Sequence, residues 1–310
     1  MYPATTYLTC FFAVFCYRLI PKSDISCPFG CTCIGTDKDR SLFCNANIVI
    51  FSESYRNFRT LHLIDIKNVE NNVSQQSLFL KLENLIIDKA NNVLQSKPER
   101  IRVMPTFVTV TNSKLSDADN YFYIDSHNMK KIHYENVTEM EYWFPRSSSS
   151  VISITILKSP IKTISPHLFK CKNLEYLVLR HTEISGSLSP NWFGIELKNL
   201  THLDLSYNKL RTIDESVFKN LPSLKTLKLN NNLLVGISWD TMKPIWNNLN
   251  EFWLKENEHL ICDNFCWIFG HFPHPSIFDS TDCWLSTIPL KQTHFFNLSL
   301  STIDLNLNKI

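Results

Sequence analysis

Four cysteines near the start of this 310-residue chain stand close enough to react with one another: Cys27, Cys31, Cys33 and Cys44, spaced C-x3-C-x-C-x10-C. Thiols at such spacing either oxidise to disulfides or, as thiolates, hold zinc. As disulfides they allow three pairings. A second group, Cys262, Cys266 and Cys283, is odd in number, so one member lacks an obvious partner. A free thiol, an intermolecular bridge or a long-range bond to Cys171 would each account for it. His271 and His274 in "GHFPHP" suggest a metal, but the prolines impose an extended loop and no carboxylate or cysteine stands at ligand spacing. A surface loop is the reading. Ser147–Ser150 reads as a polar linker rather than a nucleophile site, and no G-x-S-x-G, H-E-x-x-H, phosphate-loop or paired-carboxylate motif occurs. The expectation is a non-enzyme with no catalytic residue, metal or cofactor.

The compartment decides between disulfide and zinc. Tyr7 to Tyr17 is apolar over a length too short to span a bilayer comfortably, and reads as an export signal within residues 1–22. Its positive n-region is missing and the cleavage boundary is vague; a buried N-terminal helix or strand is the competing reading. An exported chain keeps its cysteines oxidised, which favours disulfides over zinc. Four Asn-x-Ser/Thr sequons, at Asn72, Asn136, Asn199 and Asn297, fit an exported glycoprotein. No later segment is long and apolar enough to span a membrane, and the tail is interrupted by Asn, Asp and Lys. With 31 basic and 29 acidic residues and no charge run, a nucleic-acid or polybasic membrane role is disfavoured.

A repeat organises the rest. Leu200, Leu203, Leu205, Asn208 and Leu210 follow L-x-x-L-x-L-x-x-N-x-L, and the pattern returns at Leu224, Leu227, Leu229, Asn232, Leu234. It continues at Leu249, Phe252, Leu254, Asn257, and backwards through Leu174, Leu177, Leu179, Thr182, Ile184 and Val151, Ile154, Ile156, Ser159, Ile161. Upstream, Phe58, Leu61, Leu63 and Leu82, Leu85, Ile87 keep the period. Between about Met104 and Arg146 the register is uncertain, with Val108, Val110, Leu115 and Phe122, Ile124, Met129 reading as two irregular units. The L-x-L alternation puts two side chains on one face of a short strand, and one such unit cannot bury them alone, so units must stack. The asparagine leaves the strand where buried backbone groups need an amide that both donates and accepts. Phe79, Cys171, Leu197, Leu221 and Trp246 share one slot in the connecting halves, so Cys171 reads as a buried stand-in for leucine.

The pattern resembles the leucine-rich-repeat proteins, over about nine units within residues 51–257. The resemblance implies an α/β solenoid: a horseshoe with a parallel β-sheet on its concave face and an irregular, short-helical convex side. The four early cysteines resemble the N-terminal cap of secreted members, including the small matrix proteoglycans, which implies a cap over residues 27–50 with pairs Cys27–Cys33 and Cys31–Cys44. Residues 258–285 resemble the cysteine cap of Slit- or Toll-type ectodomains, although Cys262 and Cys266 are spaced differently from that pattern, and residues 286–310 read as a polar tail.

Function in such a solenoid is expected on the concave strands, at the positions that flank the leucines. These are His62, Tyr121, Tyr123, Tyr176, Arg180, His202, Asp204, Lys228, Glu251 and Trp253, with Ser206 beside them. Tyr176, Arg180 and Trp253 are the residue types that dominate interface energetics. A glycan on Asn199 would limit docking at the sheet edge. The expectation is a secreted or cell-surface module that binds a protein ligand, with no nucleic-acid partner. A matrix component of the small-proteoglycan type is the alternative. "IIDKANNVL" and the irregular units also resemble glycoprotein-hormone receptor ectodomains, which would make the chain a truncated or decoy form.

Overall fold

The computed structural model describes residues 27–28, 30–35, 39–45, 48–51, 58–66, 68–71, 78–90, 101–114, 122–124, 127–138, 150–161, 171–193, 197–260, 277–279 and 303–304. In chain order the strands are β1 (Cys31–Ile34), β2 (Ser41–Cys44), β3 (Ile48–Phe51), β4 (Thr60–Ile64), β5 (Asn68–Asn71) and β6 (Leu78–Asp88). They continue as β7 (Ile101–Thr111), β8 (Phe122–Ile124), β9 (Lys131–Glu135), β10 (Ser153–Leu157), β11 (Tyr176–Arg180) and β12 (Ser185–Leu188). The last are β13 (His202–Asp204), β14 (Lys209–Ile213), β15 (Thr226–Lys228), β16 (Glu251–Trp253), β17 (Ile277–Asp279) and β18 (Ile303–Asp304).

One sheet runs β1-β2-β4-β6-β7-β9-β10-β11-β13-β15-β16-β17-β18, parallel throughout except for the antiparallel β1–β2 start. Successive coils therefore add one rung each. The two inward side chains of every rung from β4 to β16 are at most 2% exposed, from Leu61 and Leu63 through Phe252 and Leu254. Each buried leucine is worth about 1.5–3 kcal/mol. The gain is realised only when a neighbouring coil covers it, so the array is stable as a stack and not coil by coil.

Nine consecutive coils leave the strand through a residue at positive φ: Asp65, Lys89, Asn112, Asn136, Lys158, His181, Tyr207, Asn231 and Glu256, all between 48° and 57°. Non-glycine residues adopt this left-handed conformation at a cost of about 1–3 kcal/mol, least for asparagine. Here the stack over-determines it. The N–H of each such residue from Asp65 to Asn231 donates to a carbonyl of the next coil, as in Asn112 N–H to Glu135 O (3.0 Å) and Tyr207 N–H to Asn230 O (3.0 Å).

Immediately after this turn sits the asparagine position. Asn208 Nδ2 donates to Leu179 O (2.7 Å) and Leu205 O (3.0 Å), while its Oδ1 accepts from Thr182 N (3.0 Å). Asn232 bridges Leu205 O, Leu229 O and Leu210 N, and Asn257 bridges Leu229 O, Leu254 O and Leu234 N. Each amide thus ties its own coil to the one before. In earlier coils a serine hydroxyl makes some of these ties. Ser113 Oγ accepts from Ala90 N and Ser159 Oγ from Val137 N, while each donates to a carbonyl two residues back.

The side away from the main sheet differs along the array. In the later coils it is short-helical, with 3-10 turns at Pro190–Phe193, Val217–Asn220 and Trp246–Asn248 and a one-turn helix α1 at Trp239–Met242, whose N-cap Ser238 accepts from Thr241 N. Phe193, Phe218, Met242 and Trp246 plug the core from these turns. In the earlier coils strands replace the helices: β3 pairs with β5, the first halves of β6 and β7 pair with each other, and β8 pairs with Ile101–Val103. The apolar, β-branched runs there favour extended backbone. Phe122 and Ile124 are consequently not concave rungs. The coil expected around them is built instead by Met129, Ile132, Tyr134 and Val137, in register with Val108 and Val110. Ile277–Asp279, in the expected cap, and Ile303–Asp304, in the expected polar tail, add two further parallel rungs.

At the N-terminal end the disulfides are Cys27–Cys33 and Cys31–Cys44, the pairing the resemblance implied. Arg59 donates to both Asp39 and Glu83, linking the cap to the second coil. Cys171 is a free, fully buried thiol, not bridged to another cysteine, and it fills the slot shared with Leu197, Leu221 and Trp246. Burial pushes its pKa up to about 11. It should therefore resist a thiol reagent at pH 8 in the native protein and react only on denaturation. Labelling of Cys171 at the rate of a free thiol without denaturant would contradict this packing.

Candidate recognition surface

Because the strands are parallel and in register, outward side chains form columns. One column reads His62, Ile86, Thr109, His133, Thr155, Val178, Asp204, Lys228, Trp253; another reads Asn84, Phe107, Lys131, Ser153, Tyr176, His202, Thr226, Glu251. Within a column, neighbours are about 4.8 Å apart from strand to strand. The residues singled out by alternation thereby become neighbours.

On β11 to β16 they form an aromatic and cationic group. Tyr176, 47% exposed, lies 6.0 Å from the His202 ring, and Lys228 Nζ sits 5.4 Å over Trp253. Trp253 Nε1 donates to Glu251 Oε2 (3.3 Å), which fixes the indole against the sheet. Arg180 lies 4.5 Å over the ring of Tyr207, on which His181 also stacks at 4.3 Å. Cations held on ring faces gain about 0.5–1 kcal/mol at exposed sites and lose rotamer freedom before any partner arrives. Neither Arg180 nor Lys228 has a carboxylate partner among the described residues. Burial first, then the neighbouring Lys228, lowers the pKa of His202 against the opposing pull of Asp204 and Glu251. It is neutral at pH 7.

Asp204 differs from its expected role. It is only 7% exposed, and its Oδ1 accepts from Ser206 N (2.9 Å) and Ser206 Oγ (2.5 Å). It stabilises the strand exit, and Ser206 is buried with it. Tyr207 and His181 were not singled out by alternation, since they sit on the left-handed turn rather than the strand. The repeat position before the asparagine is the signal that could have found them.

His62 stands on β4, half-buried, with its pKa lowered by burial. Tyr123 lies on β8, off the concave ladder, and Tyr121 lies outside the described residues. Asn136 and Asn199 are both exposed, the first donating to Asn112 Oδ1 (3.0 Å) and the second to Lys172 O (3.2 Å). Asn72, Asn297, Cys262, Cys266, Cys283, His271 and His274 fall outside the described residues. Among the described residues no group of three His, Cys, Asp or Glu is placed to hold a metal, and no helix is long and apolar enough to cross a membrane.

The family model described as "Leucine rich repeat" matches residues 150–210 and 198–257. No curated protein matches the sequence. Among solved structures, an octameric complex of Latrophilin 3, Unc5D and FLRT2, with leucine-rich repeats in FLRT2, aligns at 16% identity over 87% of this chain and 81% of that one, with a TM-score of 0.48. An internalin from Listeria monocytogenes str. 4b F2365 aligns at 12% identity over 78% and 83%, with a TM-score of 0.42. Overlaps this loose carry no argument about partners. The matched segment, the stacked parallel rungs and the asparagine ladder agree on one conclusion: residues 150–257 are leucine-rich repeats, set in a parallel-sheet solenoid whose N-terminal segment is disulfide-bonded.

Proposed function

We propose that the chain is an exported recognition module that binds a protein ligand through its concave face, with Tyr176, Arg180, His202, Lys228, Glu251 and Trp253 at the centre of the contact. The observation that carries this reading is the pair of ring-held cations, Arg180 on Tyr207 and Lys228 on Trp253, which lack carboxylate partners among the described residues. Arginine, tyrosine and tryptophan on a rigid sheet are the side chains that most often dominate interfaces. Export is supported by two disulfides in the N-terminal segment, which persist in oxidising compartments, and by the exposed sequon asparagines Asn136 and Asn199. The cysteines beyond residue 260 and the segment 1–22 belong to the same reading as a second cap and an export signal.

The test is a screen of secreted protein against arrayed extracellular domains at physiological salt. For a ligand so found, Trp253→Ala and Arg180→Glu should each weaken binding by about tenfold or more, equivalent to about 1.4 kcal/mol. Lys219→Glu, on the opposite side of the same coil array, should leave it unchanged. Equal sensitivity to Lys219→Glu, or indifference to both concave changes, would overturn the assignment to this face.

A further inference from the structure

The concave face holds an open hollow of about 490 Å³, lined by His62, Ile86, Asp88, Thr111, Asn112 and Glu135. It lies on β4 to β9, and its Asp88 on β6 is four strand steps, roughly 19 Å, from Arg180 on β11. Asp88 Oδ1 accepts from Thr111 Oγ1 (2.7 Å) and Asn112 Nδ2 (3.0 Å), so its carboxylate is held in one orientation. The second oxygen has no hydrogen bond or ion pair among the described residues. Burial pushes the Asp88 pKa up, but the hydrogen bonds from Thr111 and Asn112, together with the nearby Lys89 and His62, more than offset it; the net shift is downward and the group is charged at neutral pH. Glu135 on the far rim is already engaged, through Oε1 to Lys158 Nζ (2.9 Å), with His133 Nε2 3.8 Å from Oε2. His62, lowered by burial, adds no positive charge at pH 7. The hollow therefore holds a charged carboxylate with no ion-pair partner among the described residues, beside an aliphatic residue, Ile86, and a neutral ring.

We propose that this hollow receives an arginine or lysine side chain of the protein ligand, the cationic head pairing with the free oxygen of Asp88 and the aliphatic stem lying along Ile86. The proposal rests on the concave-face reading and deepens it. Arginine and lysine both combine an apolar stem with a charged head, which matches the hollow's composition. A bare divalent ion would find too few free oxygens here. With Arg180 and Lys228, which lack carboxylate partners among the described residues, at the other end, the face is polarised, and its ligand presents a basic residue toward β6 and an acidic one toward β11–β15. Such complementarity contributes to orientation and association rate as well as affinity.

The probe is N-acetyl-arginine amide, titrated into the full chain while the His62 ring and Asn112 side-chain resonances are followed by NMR. Saturable shifts with a Kd on the order of 1 mM are expected, as for a single charged side chain. N-acetyl-citrulline amide, nearly the same shape without the charge, should produce no saturable shift. Asp88→Asn should weaken the arginine response by about tenfold or more, whereas Asp88→Glu, which retains the charge, should keep most of it. An equal response to citrulline, or an unchanged one in a folded Asp88→Asn protein, would overturn the proposal. So would no response in the unmodified chain. Such a failure would remove the cation site alone; the Trp253 and Arg180 variants decide concave recognition separately.

Discussion

Asn208→Leu is expected to destabilise the later coils by about 3–5 kcal/mol, although leucine is the more hydrophobic side chain. The change keeps the branched shape of the side chain and removes the amide that Leu179 O, Leu205 O and Thr182 N share. Those groups are enclosed between two coils, and each one orphaned costs about 1–3 kcal/mol. Thr182→Val provides the scale. It removes only the hydroxyl donated to Asn208 Oδ1 (3.0 Å) and should cost about 1 kcal/mol. Amide hydrogen exchange over β11, β13 and β15 is the suitable measurement, because it reads opening coil by coil. An Asn208→Leu protein within about 1 kcal/mol of the parent would show that the ladder is ornamental to stability.

The later coils could be read from sequence because every requirement of the coil is met by a distinctive residue. Leu200, Leu203 and Leu205 supply the rung, and Asn208 supplies the tie. The earlier coils meet the same requirements by other means. At the tie position stand, in chain order, Ile66, Ala90, Ser113, Val137 and Ser159. A serine hydroxyl on one coil serves the N–H of the coil before it, so no single unit displays the pattern. The register between Met104 and Arg146 was obscured further by the fully buried Tyr134, which occupies a leucine position, and by β8, which is apolar yet pairs off the main ladder.

The candidate surface was legible only as far as alternation reaches. Alternation finds Tyr176, His202, Lys228 and Trp253, because a strand must point every second side chain outward. It cannot foresee that Asp204 folds back onto Ser206, which is a local hydrogen-bonding choice. Nor can it find Tyr207 and His181, which reach the face from a left-handed turn that no glycine marks. The Asp88 hollow was hidden for another reason. Its residues come from four coils, and their meeting depends on the register of those coils.

Removing the Cys31–Cys44 bridge by double substitution to alanine is expected to cost about 3 kcal/mol, and to cost it at one end of the molecule. The bridge closes a span of 13 residues and joins the two strands of the only antiparallel pair in the main sheet among the described residues. Closing such a loop constrains the unfolded chain by about 3 kcal/mol, against about 2 kcal/mol for the six-residue span of Cys27–Cys33. Cys44 is also fully buried beside Leu42, so its loss thins the cover over Leu61 and Leu63. In a stack where each coil contacts only its neighbours, such damage decays with distance. Amide protection in β2 and β4 should therefore fall by about two orders of magnitude, since 1.4 kcal/mol is about tenfold. Protection in β13, β15 and β16 should be unchanged. A uniform fall along the whole array would mean that the coils open as one unit and that the cap governs global stability. An unchanged β2 would mean that the bridge is redundant with the packing around Leu42. Only a loss graded from the N-terminal end identifies the disulfide as the seal of a one-dimensional core.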